Sequence, residues 1–394
     1  MNDQVEIFWP ELTPPDICEV QVSYEYCKNT SRRLCESIGG LIWKEYPAGW
    51  RIHQFLADSV SDALLIVTDP EAVLSGDAIR GLLKGISSGF RACGPVYNLT
   101  ENPEQQAQLP AAYLNVSSYV EMARHLSETA AVFHQALQPL DPACILYRRD
   151  FLEILLQSDG GNQSPQQLAA IPVSAGIASG ALVHRFGNYY DGGREDLVAL
   201  VPPNINRVLD IGCANGGYGK HLKQVRPDIR IVGVELNPIM AESARRCYDE
   251  IITSPVEQAQ IKEKFDLVNC GDILEHLENP WQMLKRICGL LNDGGYLVLS
   301  VPNAGHWTVI KDLLNGRFEY LPVGLLCITH LRWFTESSIR QALADAGFGI
   351  DTISRQQLAP TPEGKKFISM MCESGYGSEE SLMTNEIIIR ALKQ

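Results

Sequence analysis

The sequence of 394 residues predicts an α/β protein in which a doubly wound, mostly parallel seven-stranded sheet is preceded by a smaller α/β domain. Three observations support this prediction. Apolar strand-like runs alternate with helical segments from residue 207 onward, a glycine-rich turn follows the first of these strands, and acidic side chains stand at the ends of three strands. Such alternation is typical of a parallel sheet covered by helices on both faces.

The composition is that of a globular protein, with 45% hydrophobic and 20% charged residues. The length exceeds what one core usually supports, so two domains are expected. The net charge of -14 and the lack of any Lys/Arg-rich run argue against a nucleic-acid partner. Neither a leader peptide nor an apolar run of about 18 residues is recognisable, so a cytoplasmic protein without a membrane span is predicted. The 11 cysteines form no C-x-x-C pair, so neither a disulfide nor a metal site is predicted.

Residues 1–157 are predicted to form the smaller domain. Its recognisable elements are a strand at Ala63–Val67, helical spacing over Ile79–Ile86, a helix at Val120–Leu137 and a strand at Ala143–Tyr147. Residues 158–172 are rich in Gly, Asn, Gln, Ser and Pro, which predicts an interdomain linker. The second domain is therefore expected to span residues 173–394.

In the second domain, strands and helices alternate regularly. The predicted strands are Arg207–Ile211, Ile229–Val234, Glu250–Thr253, Phe265–Cys270 and Tyr296–Val301. The predicted helices are Gly217–Val225, Pro238–Cys247 and Trp281–Leu291. Ligands of such sheets bind beyond the carboxyl ends of the strands, so the residues that follow each strand are candidate site residues.

The first of these strands runs into the turn of VLDIGCANGG. Its glycines allow close backbone approach to a ligand, and Gly212, Ala214 and Gly217 also fit a dinucleotide fingerprint. Charge separates the alternatives, because Asp210 is expected to face the ligand, where it would repel a pyrophosphate but attract a sulfonium. Glu235, at the end of the second strand, suits either cofactor because both carry ribose hydroxyls.

A third acidic strand end follows Phe265–Cys270, in the sequence GDILEHL. Together VLDIGCANGG, VGVELNP, FDLVNCGDILEHL and GGYLVLSVPN resemble the class I S-adenosylmethionine-dependent methyltransferases. The resemblance covers residues 189–394 and implies an antiparallel final strand around Asn385–Ala391. Taken singly, each acidic residue could instead be a helix cap or a solvated strand end.

The resemblance implies S-adenosylmethionine as the cofactor. The residues that it assigns to cofactor binding are Asp210, Gly212, Ala214, Asn215, Gly216, Glu235, Leu236, Val256 and Asp272. Asp210 and the turn would hold the methionine moiety and ribose, Glu235 the ribose hydroxyls, and Leu236 the adenine. The chain departs from the family pattern at Ala214, where a negative φ is expected. It departs again at Pro255, where an acidic residue often binds the adenine amino group, so that this contact would fall to the backbone or to Glu257.

Methyl transfer to a hydroxyl needs alignment of the acceptor oxygen and removal of its proton by a base, or a metal that acidifies it. His330 and His276 are the predicted catalytic residues, with His306 and Asp272 as further candidates. We favour His330, because a base must contact the acceptor rather than the cofactor. A structural role for each histidine is the alternative.

The segment from Pro302 to Thr335 is rich in aromatic, Arg and His side chains, which suit a polar ring such as a sugar. It also resembles a subgroup found alongside glycosyltransferases in surface-polysaccharide biosynthesis. The resemblance implies O-methylation of a sugar or glycan, with glycan-assembly enzymes as partners. The alternatives are a phenolic or quinone-like acceptor and a non-catalytic module that binds glycan machinery.

Residues 48–151 resemble, more faintly, the later half of a family 2 type glycosyltransferase domain. Asp69 and Glu71 imitate the Asp-x-Asp pair that binds a metal and a sugar nucleotide. The first half of such a domain and its later catalytic carboxylate are not recognisable. The sequence therefore predicts a degenerate domain that transfers no sugar and instead positions the acceptor or a partner.

Overall fold

A computed structural model of the chain describes residues 4–11, 18–130, 132–159, 161–171, 174–186 and 192–394. The chain divides into two compact units, Met1–Gly187 and Asn188–Gln394. Among the described residues, every helix is too short or too polar to cross a bilayer.

The first unit is built on a mixed sheet. Its strands are β1 (Val5–Pro10), β2 (Leu41–Tyr46), β3 (Ala63–Val67), β4 (Ala72–Val73), β5 (Ala92–Tyr97), β6 (Phe133–Gln135), β7 (Cys144–Arg148) and β8 (Ala175–Arg185). Its helices are α1 (Cys18–Cys35), α2 (Ile52–Ala57), α3 (Gly76–Ser87), α4 (Val116–Thr129), α5 (Arg149–Asp159) and α6 (Pro165–Ala169). The strand order is β2-β1-β3-β7-β5-β8-β4, and β6 also pairs with β8.

The core of this unit forms where fully apolar strands meet amphipathic helices. Every residue of β3 is buried, in keeping with a strand covered on both faces. Ser75 caps the start of helix α3, and its side chain accepts from the Ala78 N–H. It buries the apolar stripe that contains Ile79 and Leu82.

The structure places the boundary between the units after the predicted linker of residues 158–172. Within that stretch Ser164 caps α6, and Pro165 and Leu168 are buried. Strand β8 then pairs in parallel with β5 of the first unit. The Ser and Pro that suggested an interdomain linker are, at Ser164 and Pro165, the capping signals of a short helix.

The predicted helix over Val120–Leu137 is also shorter than expected. Helix α4 ends at Thr129, and β6 pairs antiparallel with β8. The apolar spacing predicted a helix that continues to Leu137, whereas Phe133–Gln135 form a strand of the sheet.

The second unit carries the regular alternation. Its strands are β9 (Arg207–Ile211), β10 (Arg230–Glu235), β11 (Glu250–Thr253), β12 (Phe265–Gly271), β13 (Leu291–Pro302), β14 (Phe348–Gln357) and β15 (Thr384–Lys393). Its helices are α7 (Glu195–Val198), α8 (Gly217–Val225), α9 (Pro238–Ala244), α10 (Pro280–Leu290), α11 (Trp307–Leu314), α12 (Glu336–Asp345), α13 (Pro362–Glu373) and α14 (Glu379–Met383).

The seven strands lie in the order β11-β10-β9-β12-β13-β15-β14. The first five are parallel, and β15 runs antiparallel between β13 and β14. Successive residues of β9 enter opposite faces, with Leu209 in one core and Val208 in the other. These findings confirm the doubly wound, mostly parallel seven-stranded prediction.

A small helical cluster follows the parallel part of the sheet and was not predicted. Trp307 of α11, Ile368 of α13 and Leu382 of α14 form a separate buried cluster. The last two helices are inserted between β14 and β15. This cluster therefore adds a local core beside the sheet.

Candidate functional site

The acidic strand ends predicted from the sequence lie at one edge of the second sheet. Asp210 of β9 is in register with Gly233 of β10 and with Asn269 of β12. Because these strands are parallel, Glu235 and Asp272 leave the sheet at the same carboxyl edge. The structure therefore brings together the three carboxylates on which the cofactor prediction rests.

The turn after β9 depends on glycine at two positions. Gly212 and Gly216 have φ angles of 74° and 90°, in the left-handed region that favours glycine. A Cβ atom at Gly216 would also lie 2.9 Å from the Ala244 Cα. The turn thus brings the start of α8 close to α9, as a close backbone approach requires.

The prediction of a negative φ at Ala214 is wrong. Its φ is 44°, a left-handed conformation that costs a non-glycine residue about 1 to 3 kcal/mol. In this conformation the Ala214 N–H donates to Glu235 Oε2 over 2.9 Å. The hydrogen bond offsets part of the strain and fixes the centre of the turn.

Glu235 connects the turn to the second strand. Its Oε2 accepts from the Ala214 N–H, and its Oε1 accepts from the Asn237 N–H over 2.8 Å. The side chain is buried at the strand end, which excludes a freely solvated carboxylate. Each oxygen retains a further lone pair, so the carboxylate can still accept from ribose hydroxyls.

Asp210 does not project freely into the site as the sequence suggested. Its side chain is buried and accepts from the Tyr248 hydroxyl and, over 2.7 Å, from Asn269 Nδ2. Burial raises the Asp210 pKa to about 6, although both donors oppose the rise. Asp210 is therefore held by Tyr248 and Asn269, and its direct contact with cofactor stays a prediction.

Asp272 is held by an arginine that sequence reasoning missed. Its carboxylate accepts from Arg194 Nη1 and from Ser300 Oγ, the latter over 2.8 Å. Arg194 also pairs with Asp196 and Glu386. Asp272 has a left-handed φ of 52° and a strongly paired side chain, so it is neither a free ligand nor an N-cap.

The interactions between Arg194 and the three carboxylates shift the pKa values of these groups. Burial alone would lower the pKa of Arg194, but the carboxylates of Asp272, Asp196 and Glu386 raise it. Burial and the Asp272 charge raise the Glu386 pKa to about 7. The single positive charge of the half-buried Arg194 is therefore shared among three carboxylates at this edge.

The residues predicted to contact adenine lie in less constrained positions. Leu236 is 66% exposed, whereas Val256 packs against the sheet core. Asn215 is half-buried within the turn, and Glu257 is exposed. Their contacts with adenine or ribose stay predictions.

The two predicted catalytic histidines meet. Their rings have centroids 4.7 Å apart in an edge-to-face arrangement, although 54 residues separate His276 from His330 in the chain. Loop residues Leu331 and Arg332 donate their N–H groups to the Glu275 carbonyl over 2.8 and 3.0 Å. These two bonds place His330 beside the short 3₁₀ helix Leu274–His276.

Burial keeps these imidazoles neutral. It lowers the His276 pKa and, together with the neighbouring ring, lowers the His330 pKa to about 4. His306, a further candidate, is buried as the cap of α11, and burial lowers its pKa to about 3. His306 is therefore a structural residue, whereas the other two are neutral rings with available lone pairs.

Glu275 adds a carboxylate that sequence reasoning did not assign. Its side chain is 1% exposed, and apart from its own nearby backbone N–H neither carboxylate oxygen has a hydrogen-bond partner among the described residues. One ligand atom each from Glu275, His276 and His330 lie within 4.8 Å of one another. We call these three residues the Glu-His-His cluster.

The segment after α11 presents an aromatic patch, defined as Phe318, Tyr320 and Trp333. The ring centroids lie 5.4 to 6.3 Å apart, and each residue is about two-fifths exposed. Phe334 then pairs with Asn303 just beyond β13, which returns the segment to the sheet edge. Because the three rings are partly exposed, they do not simply fill a core.

In the first unit, Asp69 is occupied by protein groups. One oxygen accepts from the Glu71 N–H over 2.9 Å, and the other pairs with Arg185. Arg185 also pairs with Asp141 over 3.0 Å. The apparent Asp-x-Asp imitation therefore belongs to a structural ion-pair group.

Residues 180–353 match a protein-family model described as a methyltransferase domain. A curated relative, trans-aconitate 2-methyltransferase of Escherichia coli, is 29% identical over 111 residues, which are 27% of this chain and 44% of the relative. The corresponding enzyme of Shigella flexneri is 28% identical over the same shares. The chain thus spans less than half the length of these relatives.

Solved structures of methyltransferases also match about half of the chain. A methyltransferase from Thermotoga maritima has a TM-score of 0.37 at 20% identity, covering 50% of this chain and 86% of that one. A methyltransferase from Mesorhizobium loti has a TM-score of 0.35 at 17% identity, covering 50% of this chain and 96% of that one.

Proposed function

We propose that this chain transfers a methyl group from S-adenosylmethionine to a hydroxyl of a sugar or sugar-containing acceptor. The premise is that residues 180–353, which match the methyltransferase-domain model, bind S-adenosylmethionine, as the resemblance of their motifs to the class I enzymes implies. The observation that carries the proposal is the position of the Glu-His-His cluster: Glu275 and His276 follow β12, at the edge where Glu235 and the glycine-rich turn stand, and His330 joins them from a later loop.

The carboxyl edge of the second sheet has features that suit binding of the methyl donor, S-adenosylmethionine. The carboxylates of Asp210 and Glu235 attract a sulfonium and its α-amino group. The Glu235 oxygens keep lone pairs for two ribose hydroxyls, and Gly212 allows close approach of the ligand to the backbone. These features favour a catalytic domain over a module that only recruits partners.

The aromatic patch supports a sugar ring as the acceptor. One face of a sugar ring is made largely of C–H groups and packs against an exposed aromatic ring, while its hydroxyls bind polar neighbours. Phe318, Tyr320 and Trp333 offer three such rings. A phenolic acceptor would stack on the same rings, so the acceptor class needs a direct test.

The reaction transfers a methyl carbon from sulfur to oxygen. The acceptor oxygen attacks this carbon, the C–S bond breaks with its electron pair remaining on sulfur, and S-adenosylhomocysteine leaves. The acceptor hydroxyl loses its proton. His330 and His276 are neutral and can accept it through Nε2, but a base with a pKa of about 4, such as His330, is a weak acceptor for a hydroxyl proton.

The proposal is tested in two steps. Protein purified under native conditions is denatured and analysed by mass spectrometry for bound S-adenosylhomocysteine. It is then incubated with methyl-labelled cofactor and panels of sugar nucleotides, oligosaccharides and phenols, with a Glu235→Ala variant as background. We expect base-stable label, as in a methyl ether, on a sugar.

Two outcomes would contradict the proposal. Label that mild base releases would indicate a methyl ester rather than an ether, and label only on phenols would replace the sugar by the alternative acceptor class. A cytoplasmic location and glycan-assembly partners stay predictions that follow from the sugar acceptor.

A further inference from the structure

We infer that Glu275, His276 and His330 bind a divalent transition-metal ion. This departs from the sequence-based expectation of no metal site, which considered only the cysteine pattern. Metal binding is argued from the Glu-His-His cluster itself, and only the role of the ion in methyl transfer rests on the proposed function.

The first argument is the buried carboxylate of Glu275. It is 1% exposed, and apart from its own nearby backbone N–H neither oxygen has a hydrogen-bond partner among the residues that the structure describes. Burying a carboxylate without a partner is costly, and proteins retain such groups mainly where a cation or a proton compensates them. Asp272 is only three residues away, but Arg194 and Ser300 already satisfy it. The uncompensated acceptor is therefore confined to Glu275.

The second argument is the orientation of the two imidazoles. His276 Nδ1 faces the Thr329 carbonyl over 3.3 Å, and His330 Nδ1 faces the Leu325 carbonyl over 3.1 Å. A carbonyl only accepts, so in each neutral ring the proton resides on Nδ1 and the lone pair on Nε2. Metal-binding histidines are typically anchored in this way, with the second ring nitrogen donating to a carbonyl or carboxylate.

The third argument is distance. One donor atom from each residue of the Glu-His-His cluster lies within 4.8 Å of the others. Bonds of about 2.0–2.2 Å to a common ion place donors about 3 to 3.5 Å apart. Rotations of the Glu275 and imidazole side chains by about 1 Å at their tips therefore suffice. The backbone need not move, because the Leu331 and Arg332 N–H groups bind the Glu275 carbonyl and hold the His330 loop against the 3₁₀ helix.

The donor set restricts the ion. Two imidazole nitrogens and one carboxylate suit Zn²⁺, Fe²⁺, Co²⁺ or Mn²⁺, whereas Mg²⁺ and Ca²⁺ prefer oxygen ligands throughout. Three protein ligands leave at least one coordination position open, as in metal sites that bind a substrate oxygen. A divalent ion would compensate the Glu275 charge and keep one positive charge.

An open position on the ion would accept the acceptor hydroxyl and lower its pKa, so that its proton leaves to water near neutral pH. The oxygen then attacks the methyl carbon, and the C–S electron pair remains on sulfur. The neutral His276 and His330 act as ligands in this scheme. A strong imidazole base is then unnecessary.

Metal binding is tested on the full chain after treatment with EDTA. Co²⁺ is titrated into the metal-free protein, and we expect a visible ligand-field absorption that saturates near one equivalent and is displaced by Zn²⁺. Glu275→Gln should weaken Co²⁺ binding at least about 100-fold, since loss of mere outer-shell partners already costs 10- to 100-fold. The matched control is Glu278→Gln, the same change at an exposed position three residues later, which should bind as the wild type does.

A second variant separates ligation from folding. His330→Asn keeps a donor for the Leu325 carbonyl but removes Nε2, so it should lose Co²⁺ binding without a lower melting temperature in EDTA. Glu275→Gln in EDTA should melt no earlier than wild type, because the neutral amide replaces a carboxyl group whose charged form is disfavoured by burial. Wild-type protein without saturable Co²⁺ binding, or variants that bind as tightly as wild type, would overturn the inference.

Binding of S-adenosylhomocysteine to the metal-free protein is measured in the same preparation. Retained nucleoside binding with no metal binding would overturn the metal site alone. Metal binding by a protein that binds neither S-adenosylmethionine nor its product would overturn the proposed function while supporting the metal site.

Discussion

Replacing Glu235 by alanine removes the acceptor that joins the glycine-rich turn to the second strand. Two backbone N–H groups, of Ala214 and Asn237, lose their bonds of 2.9 and 2.8 Å. A cofactor would in addition lose the predicted charge-assisted bonds to its ribose. Loss of this charge-assisted pair of bonds costs about 1.5 to 3 kcal/mol in total, so the variant should bind S-adenosylhomocysteine about 10- to 150-fold more weakly.

The measurement is calorimetric titration of S-adenosylhomocysteine into both proteins. Wild-type affinity is expected in the micromolar range, about -8 kcal/mol. Glu250→Ala is the matched control, because Glu250 is an exposed glutamate at the amino end of β11, on the opposite edge of the sheet. That variant should bind as wild type does.

Glu235→Gln separates the two contributions. One carboxylate oxygen becomes an NH₂ group that must face a backbone donor, at Ala214 or at Asn237, so this variant keeps only one of the two contacts. We expect an intermediate loss of affinity and a lower melting temperature than wild type. Affinity of the alanine variant within about twofold of wild type would refute the ribose assignment, and tight NAD binding without S-adenosyl binding would refute the cofactor.

Two further predictions concern buried carboxylates. Because the folded-state pKa of Asp210 is raised to about 6, its contribution to stability is present near pH 4 and is lost as the pH rises through 6. Asp210→Asn should remove this loss, which amounts to at most about 3 kcal/mol. The measurement is the free energy of unfolding of both proteins across this pH range. The variant keeps its contact with Asn269, because the Asn269 amide can flip and accept from the new side-chain NH₂ group. If wild type and variant lost stability in parallel as pH rises, this reasoning would be contradicted. Asp69→Ala should lower the melting temperature by freeing Arg185 but leave methyl transfer near wild type; sugar transfer abolished by this substitution would show an active glycosyltransferase site.

The sequence predicted the second sheet well because its signals are local. Arg207–Ile211 and Glu250–Thr253 have the predicted bounds, since each strand is an apolar run bounded by polar or turn residues. The backbone at Ala214 could not be predicted, because its left-handed conformation depends on a bond to Glu235 in the next strand. Propensity favours a negative φ for alanine, and this long-range contact overrides it.

Long-range partners limited the prediction of the site. Tyr248 and Asn269 reach Asp210 from 38 and 59 residues away, and no local pattern announces them. Arg194 lies 78 residues before Asp272, in a segment without a recognisable motif. Glu275 is visible in the LEHL motif, but its lack of a partner becomes apparent only when the loop of His330 is folded over it.

The partners of the acidic residues explain how this edge could hold two cations. Asp272 is neutralised by Arg194, Asp210 receives two neutral donors, and Glu235 receives two backbone N–H groups, so only Glu275 lacks a partner among the described residues. A sulfonium close to a metal ion would be repelled by it. Asp210 and Glu235 bind only uncharged donors, so their negative charges are not cancelled by a neighbouring cation. These charges reduce the repulsion between the sulfonium and the metal ion. Because coupling between two binding sites is reciprocal, any weakening of the nucleoside by the metal must appear equally as weakening of the metal by the nucleoside.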